Sequence, residues 1–240
     1  MKKLELISLF FLILLVSCST EPDDSDGDNF DASVVCPAEG TNAYGMPNRG
    51  TFVDERDGQE YRYTTIGNQV WMAENLRYNA ENSFTYDCGD SSCMEFGRYY
   101  SIKKNVIRND VKDAELDMDL IDTVCPHGWH VPSKGEWSTL FNIMGGDDEE
   151  KICNRLKSSE KKYFPIERNP AGSDICRFEA IPSGYNRDEA IYTDSYYLTS
   201  TQQFVGGLYI ARLSTYLGFS TRAISGYSKT AEYPIRCLKD

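Results

Sequence analysis

The stretch Cys125-Pro126-His127-Gly128-Trp129-His130-Val131-Pro132-Ser133-Lys134-Gly135-Glu136-Trp137 decides how this chain folds. Pro126, Gly128 and Pro132 impose a bent, non-helical path on it. Ser133 then opens a helix, and Glu136 three residues on has the spacing of a capping box. Trp137, Leu140, Phe141 and Met144 follow at i, i+3, i+4 and i+7, one apolar face. The stretch therefore reads as a crosslinked corner that feeds a core helix, with Cys125 as the crosslink point.

Working outward, Gly145-Gly146 breaks this helix. Asp147-Asp148-Glu149-Glu150 places acids at the start of a second one, where they favour the N-terminal dipole, and Ile152 and Leu156 give its buried face. These carboxylates are consecutive, without the alternation and distal Glu of a calcium loop, so they read as a cap. Upstream, Phe52-Val53 and 61–66 flank Asp57-Gly58, a strong hairpin signal. Gly67-Asn68 turns into 69–72, giving a three-stranded meander that should close one end of the domain. Tyr99, Ile102 and Val106 have helical spacing, and the charge-dense residues 108–122 read as an exposed excursion. From Phe178 onward the pattern is strand and turn: 178–181, 196–198, 208–213, 219–223 and 233–238. Core helices together with several strands make the expected class α+β, with disulfides as crosslinks.

The N-terminus reads as a processing segment. Lys2 and Lys3 precede an apolar run, 6–16, too short to span a bilayer, which needs about 20 residues. It ends in Leu15-Val16-Ser17-Cys18, which resembles the lipobox cut by bacterial lipoprotein signal peptidase. Residues 1–17 would be the signal peptide and Cys18 the lipidated first residue, carrying palmitate-type acyl chains that anchor the protein to the outer membrane. Residues 18–50 are expected to be an acidic disordered tether followed by loop. Six acids and no base lie between Ser19 and Val35. That acidic run resembles the surface-export signal of lipoproteins in Bacteroidota-like bacteria, and equally suits a plain solvated spacer, so the periplasmic and cell-surface faces both stay open. The domain itself is expected over 51–240.

The formal charge is −12, and cleavage before Cys18 removes two lysines and one glutamate, leaving −13. Such a balance argues against nucleic acid as a partner, since binding phosphates needs clustered Lys and Arg. Of eight cysteines, Cys18 is assigned to lipid. In an exported chain the other seven default to bridges. Cys88 and Cys93 flank a turn-rich loop suited to a local bridge. Cys125 with Cys237 would tie the corner to the last strand, and Cys153 would then pair with Cys176, leaving Cys36 over. No C-x2-C pair is present and Cys88 and Cys93 are not followed by spaced His ligands, so zinc is not read here, and no cofactor is expected.

Six landmarks occur in order: 51–61 (TFVDERDGQEY), 66–76 (IGNQVWMAENL), 97–100 (GRYY), the 125–137 stretch, 178–185 (FEAIPSGY) and 235–237 (IRC). Together they resemble the Fibrobacter succinogenes major paralogous domain. The resemblance implies a branch of the C-type-lectin-like fold, two helices packed on mixed antiparallel sheets and stabilised by disulfides, with a core bridge between Cys125 and Cys237. It implies an envelope context but no reaction. Two sharper readings of related folds lack their residues. A calcium-dependent sugar site would need a Glu-Pro-Asn or Gln-Pro-Asp loop and a Trp-Asn-Asp strand, and a formylglycine-generating oxidase would need a reactive thiol pair. His127 and His130 are the only histidines, and His130 is expected to order the corner by hydrogen bonds. No catalytic residues are assigned, although a pair of carboxylates cleaving polysaccharide stays open.

Of sixteen tyrosines, Tyr185, Tyr192, Tyr196, Tyr197 and Tyr216, with Arg187 and Asp188, fall near the long-loop region. They are the candidates for a platform that binds glycan or an envelope protein without catalysis. The alternative is a structural or assembly role at the outer membrane.

Overall fold

A computed structural model describes residues 30–81, 83–85, 95–101, 118–165, 170–184, 194–203, 207–216, 219–226 and 232–240, with backbone alone for 215–216 and 219–226. Cys18, Cys88, Cys93, Tyr185, Arg187, Asp188 and Tyr192 lie outside the described residues, as do the signal peptide and residues 108–117 of the excursion expected over 108–122.

The chain is already packed at Phe30. A one-turn helix, α1 (Ala32–Val35), starts where the Asp31 carboxylate accepts from Ser33 N at 2.9 Å. Phe30, Ala32 and Val35 lean on the core, and Cys36 is buried in it. This differs from the tether expected there: three apolar side chains and one crosslink hold the end of the acidic stretch. β1 (Arg49–Val53), β2 (Glu60–Ile66) and β3 (Gln69–Met72) form the expected meander. Gly58 and Gly67 supply the positive-φ turn positions that most side chains avoid.

β4 (Ser83–Thr85) pairs with β5 (Arg98–Ser101). Tyr99 is thus on a strand, not the helix its spacing suggests, because Tyr99 and Tyr100 are both fully buried, on opposite faces. A short α2 (Met118–Thr123) leads into the corner, where Trp129 and His130 form β6 (Trp129–His130). Ser133 caps α3 (Lys134–Met144) with the full capping box, and Trp137, Leu140, Phe141 and Met144 are its buried face. Asp148 caps α4 (Glu149–Leu156), which buries Ile152, Cys153 and Leu156. Residues 178–181 are not a strand; Ala180 alone makes a bridge, to Lys157. β7 (Asp194–Gln202), β8 (Leu208–Tyr216) and β9 (Phe219–Gly226) make a second meander. β10 (Glu232–Pro234) and β11 (Leu238–Lys239) finish the chain.

Three sheets result, ordered β1-β2-β3-β11-β6, β10-β5-β4 and β7-β8-β9. Every described strand pairing is antiparallel; only isolated bridges are parallel. The first meander does not close an end. It continues through β3 into β11, so the strand that ends the chain is laid into the sheet that begins it.

Two apolar clusters flank the strands. Tyr61, Tyr63, Val70, Met72, Tyr196 and Leu198 enter one. Ile66, Trp71, Tyr197 and Leu213 enter the other, with α3 and α4. Alternation along each strand sends neighbours to opposite faces, and here both faces are covered.

Cys125 pairs with Cys237, Cα atoms 6.0 Å apart, joining the corner to the last strand. Cys176 pairs with Cys36, not with Cys153. Cys153 is a buried thiol on α4 whose Sγ donates to Ser214 O at 3.4 Å. The reason is placement: α1 folds back and brings Cys36 to within a Cα separation of 5.5 Å from Cys176.

Candidate functional site

The loop 174–179 holds every non-glycine residue with a positive φ among the described residues. Asp174, Arg177 and Glu179 have φ of 50°, 57° and 54°, the left-handed region that costs a residue bearing a Cβ about 1–2 kcal/mol. Outliers of this kind persist only where the surroundings over-determine them. Here Cys176 is bonded to Cys36, and Thr64 Oγ1 donates to Cys176 O at 2.6 Å. Glu179 N donates to Asp174 Oδ1 at 2.8 Å. Phe178 is wedged edge-on against Trp71, Trp137 and Tyr197.

Beneath the loop lies Arg236, fully buried. Its guanidinium donates to Asn75 Oδ1 at 2.7 Å, to Phe178 O, and to Glu179 O at 3.2 Å. It also sits 4.6 Å from the centre of the Phe178 ring. One arginine thereby ties together residues from three separate sequence landmarks: 66–76, 178–185 and 235–237. Burial pushes the Asp174 carboxyl up to about 7, against the opposing pull of the Glu179 N–H and of Arg177 and Arg236.

Between this loop and β1–β2 runs an open groove of about 440 Å³. Gly50, Thr51, Tyr63 and Ala73 line one part of it, and Arg49, Arg62, Arg177 and Glu179 supply the charges. Gly50 is required by close approach: a Cβ there would come within 2.7 Å of Tyr63 Oη. Arg62 is neutralised, at 2.5 Å from Glu179 and 3.5 Å from Glu74. Arg49 donates to Cys36 O at 2.9 Å, while its Nε is buried without an acceptor. Burial first, and the like charge of Arg177 second, hold the Arg49 guanidinium below its usual value. Among the described residues neither Arg49 nor Arg177 forms an ion pair with a carboxylate. The groove lining has no His, Cys or Ser.

Two members of the expected tyrosine platform, Tyr196 and Tyr197, are corrected here. Tyr196 is 4 % exposed and Tyr197 is wholly buried, because both faces of β7 are covered. Tyr197 stacks on Trp137 with centroids 5.0 Å apart, and Tyr196 donates to Asp194. Neither faces a ligand. Tyr216 ends β8, and its side chain lies outside the described residues.

His130 orders the corner. Its Nδ1 is 2.7 Å from Asp240 Oδ1 and its Nε2 is 3.0 Å from Glu136 Oε1, so both ring nitrogens are engaged. Among the described residues no group of three or more His, Cys, Asp or Glu side chains is gathered to hold a metal. Nor is any described helix long and apolar enough to cross a membrane.

Sequence reasoning missed the groove, because Arg49, Arg62 and Arg177 are far apart in the chain and follow no period. The signal present was indirect: Arg62, Glu179 and Arg236 sit within or beside the landmarks.

Taken together, these features define a disulfide-crosslinked α+β domain that presents an open groove bearing charged side chains. The chain belongs to the Fibrobacter succinogenes major domain family, whose model matches residues 64–239. Neither the curated proteins nor the solved structures contain a match to it.

Proposed function

We propose that this protein is a non-catalytic binding module of the bacterial envelope, carried on a lipid-anchored chain and engaging a glycan or an envelope protein. The observation that carries the reading is the groove itself. It is open, is floored by a sheet, and is edged by a loop fixed through a disulfide and a buried arginine. Such an arrangement presents side chains without needing to reorganise them, which lowers the cost of binding. Its lining offers charged and hydroxyl groups but no nucleophile beside a base, so holding a ligand fits it better than turning one over.

The C-type-lectin-like assignment belongs to this proposal. Its supports are the two core helices α3 and α4, the predominance of antiparallel pairing, β1 and β11 in one sheet, and the bridge from corner to last strand. The outer-membrane address rests on the basic start, the short apolar run and Cys18.

Two measurements test the reading. In a bacterial host, the chain should incorporate alkyne-palmitate and lose the label on Cys18→Ala; an unlabelled wild-type chain removes the anchor. A glycan array and a cross-linking screen on the purified protein should give saturable binding weakened by groove substitutions. Steady turnover of a polysaccharide would replace binding by hydrolysis.

A further inference from the structure

The geometry points to an acidic carbohydrate as the ligand of this groove, a sugar unit's carboxylate or sulfate oxyanion lying between the guanidinium groups of Arg49 and Arg177. This rests on the binding reading above and narrows it to one chemical class.

Three observations carry it. The first is an unbalanced charge. Of the three arginines in the lining, Arg62 is matched by Glu179 and Glu74. Arg49 and Arg177 line the same groove without an ion-pair partner among the described residues. Asp174, a carboxylate whose charge acts on both, is only partly ionised at neutral pH because burial pushes it to about 7. Two like charges brought together call for an oxyanion, and the guanidinium fork matches carboxylate and sulfate geometry.

The second is fixation. Arg177 stands on a left-handed residue next to a disulfide, and Arg49 is anchored through Cys36 O on the other side of the same bridge. The Arg49 guanidinium and the Arg177 backbone are therefore positioned before any ligand arrives. The chain as a whole carries −12, so diffuse attraction for polyanions is absent and the groove must supply the selectivity itself.

The third is the balance of donors and acceptors. Arg49, Arg177, the Thr51 hydroxyl and the Tyr63 hydroxyl all offer protons, and the lining's one carboxylate, Glu179, is occupied by Arg62. The Thr51 and Tyr63 hydroxyls accept as well as donate. An acidic sugar suits this set: its oxyanion accepts from the two arginines, and its hydroxyls exchange hydrogen bonds with Thr51 and Tyr63.

The test is titration of the purified protein with polygalacturonate, dextran sulfate, neutral dextran and poly-glutamate. We expect saturable binding of polygalacturonate or dextran sulfate, with the stronger of the two identifying the oxyanion. Arg177→Ala should weaken it about tenfold, the worth of one charge-assisted hydrogen bond. Arg49→Gln should act in the same direction, and raising the salt should weaken wild type more than Arg177→Ala. Arg177 is exposed and carries no described packing role, so its variant should keep the wild-type near-ultraviolet circular dichroism. Wild-type affinity in both arginine variants would overturn the inference. So would stronger binding of poly-glutamate than of either acidic polysaccharide, which would make the ligand an acidic peptide. Binding of neutral dextran alone would overturn it while leaving the binding module standing. No binding of any of these, combined with an empty glycan array and cross-linking screen, would overturn both.

Discussion

Replacing Cys36 and Cys176 together by alanine tests the arrangement on which the groove depends. The bridge closes a loop with a sequence separation of 140 residues. The Cys125–Cys237 bridge offers no shorter path between these two positions, so it does not already supply the constraint. In the chain-entropy picture a loop of this length restricts the unfolded ensemble by about 5 kcal/mol. Both sulfurs are buried, at 1 % and 0 % exposure, so truncation also leaves a small packing defect. The double variant should therefore lose several kcal/mol in urea unfolding, read as a lower midpoint. It should also bind less tightly, because Arg177 adjoins one sulfur and Arg49 is bonded to the carbonyl of the other cysteine. The linkage itself is read by mass spectrometry of non-reduced peptides. A peptide joining the Cys36 and Cys176 segments is expected, with Cys153 alkylated only after unfolding. Recovery of Cys153 bonded to Cys176, or ready alkylation of Cys36 in the native protein, would refute the reasoning.

Asp174 makes stability depend on pH. Its folded pKa of about 7 lies above its ordinary 3.8, so between these values the native state binds more protons than the unfolded one. The contribution is therefore greatest below pH 4 and is lost as the pH rises through 7, on the order of 4 kcal/mol in total. Asp174→Asn keeps an acceptor for Glu179 N and should flatten the urea midpoint between pH 5 and pH 8; an unchanged slope would contradict this. Arg236→Met leaves Asn75 Oδ1, Phe178 O and Glu179 O without their buried donor and should cost roughly 3 kcal/mol or more. Thermal melts matching wild type would argue that the buried guanidinium does not hold the loop. Ser133→Ala removes the hydroxyl half of the capping box on α3 and should cost about 1 kcal/mol in the same assay.

Local chemistry explains which elements were legible beforehand. The capping box at Ser133 and Glu136, the four-residue apolar face of α3, the Asp148 cap and the hairpins at Gly58 and Gly67 all depend on near neighbours in the chain. Such features are set by backbone sterics and short-range hydrogen bonds, which sequence spacing records directly. Tyr99 went astray because three spaced apolar residues imitate a helix, while burial of both Tyr99 and Tyr100 requires a strand covered on each side. Tyr196 and Tyr197 went astray for a related reason. A tyrosine-rich run reads as a binding surface until a second layer is known to cover it.

The sequence by itself determined the α+β class, the family, the starts of α3 and α4 and the bridge between corner and final strand, because each rests on adjacent residues or on an ordered set of landmarks. Tertiary structure alone decided which cysteine met Cys36, which tyrosines were interior and where Arg49, Arg62 and Arg177 converged. Those outcomes depend on distances between segments a hundred or more residues apart in places. Such distances are fixed only when both apolar clusters close around the strands, and no local spacing encodes them.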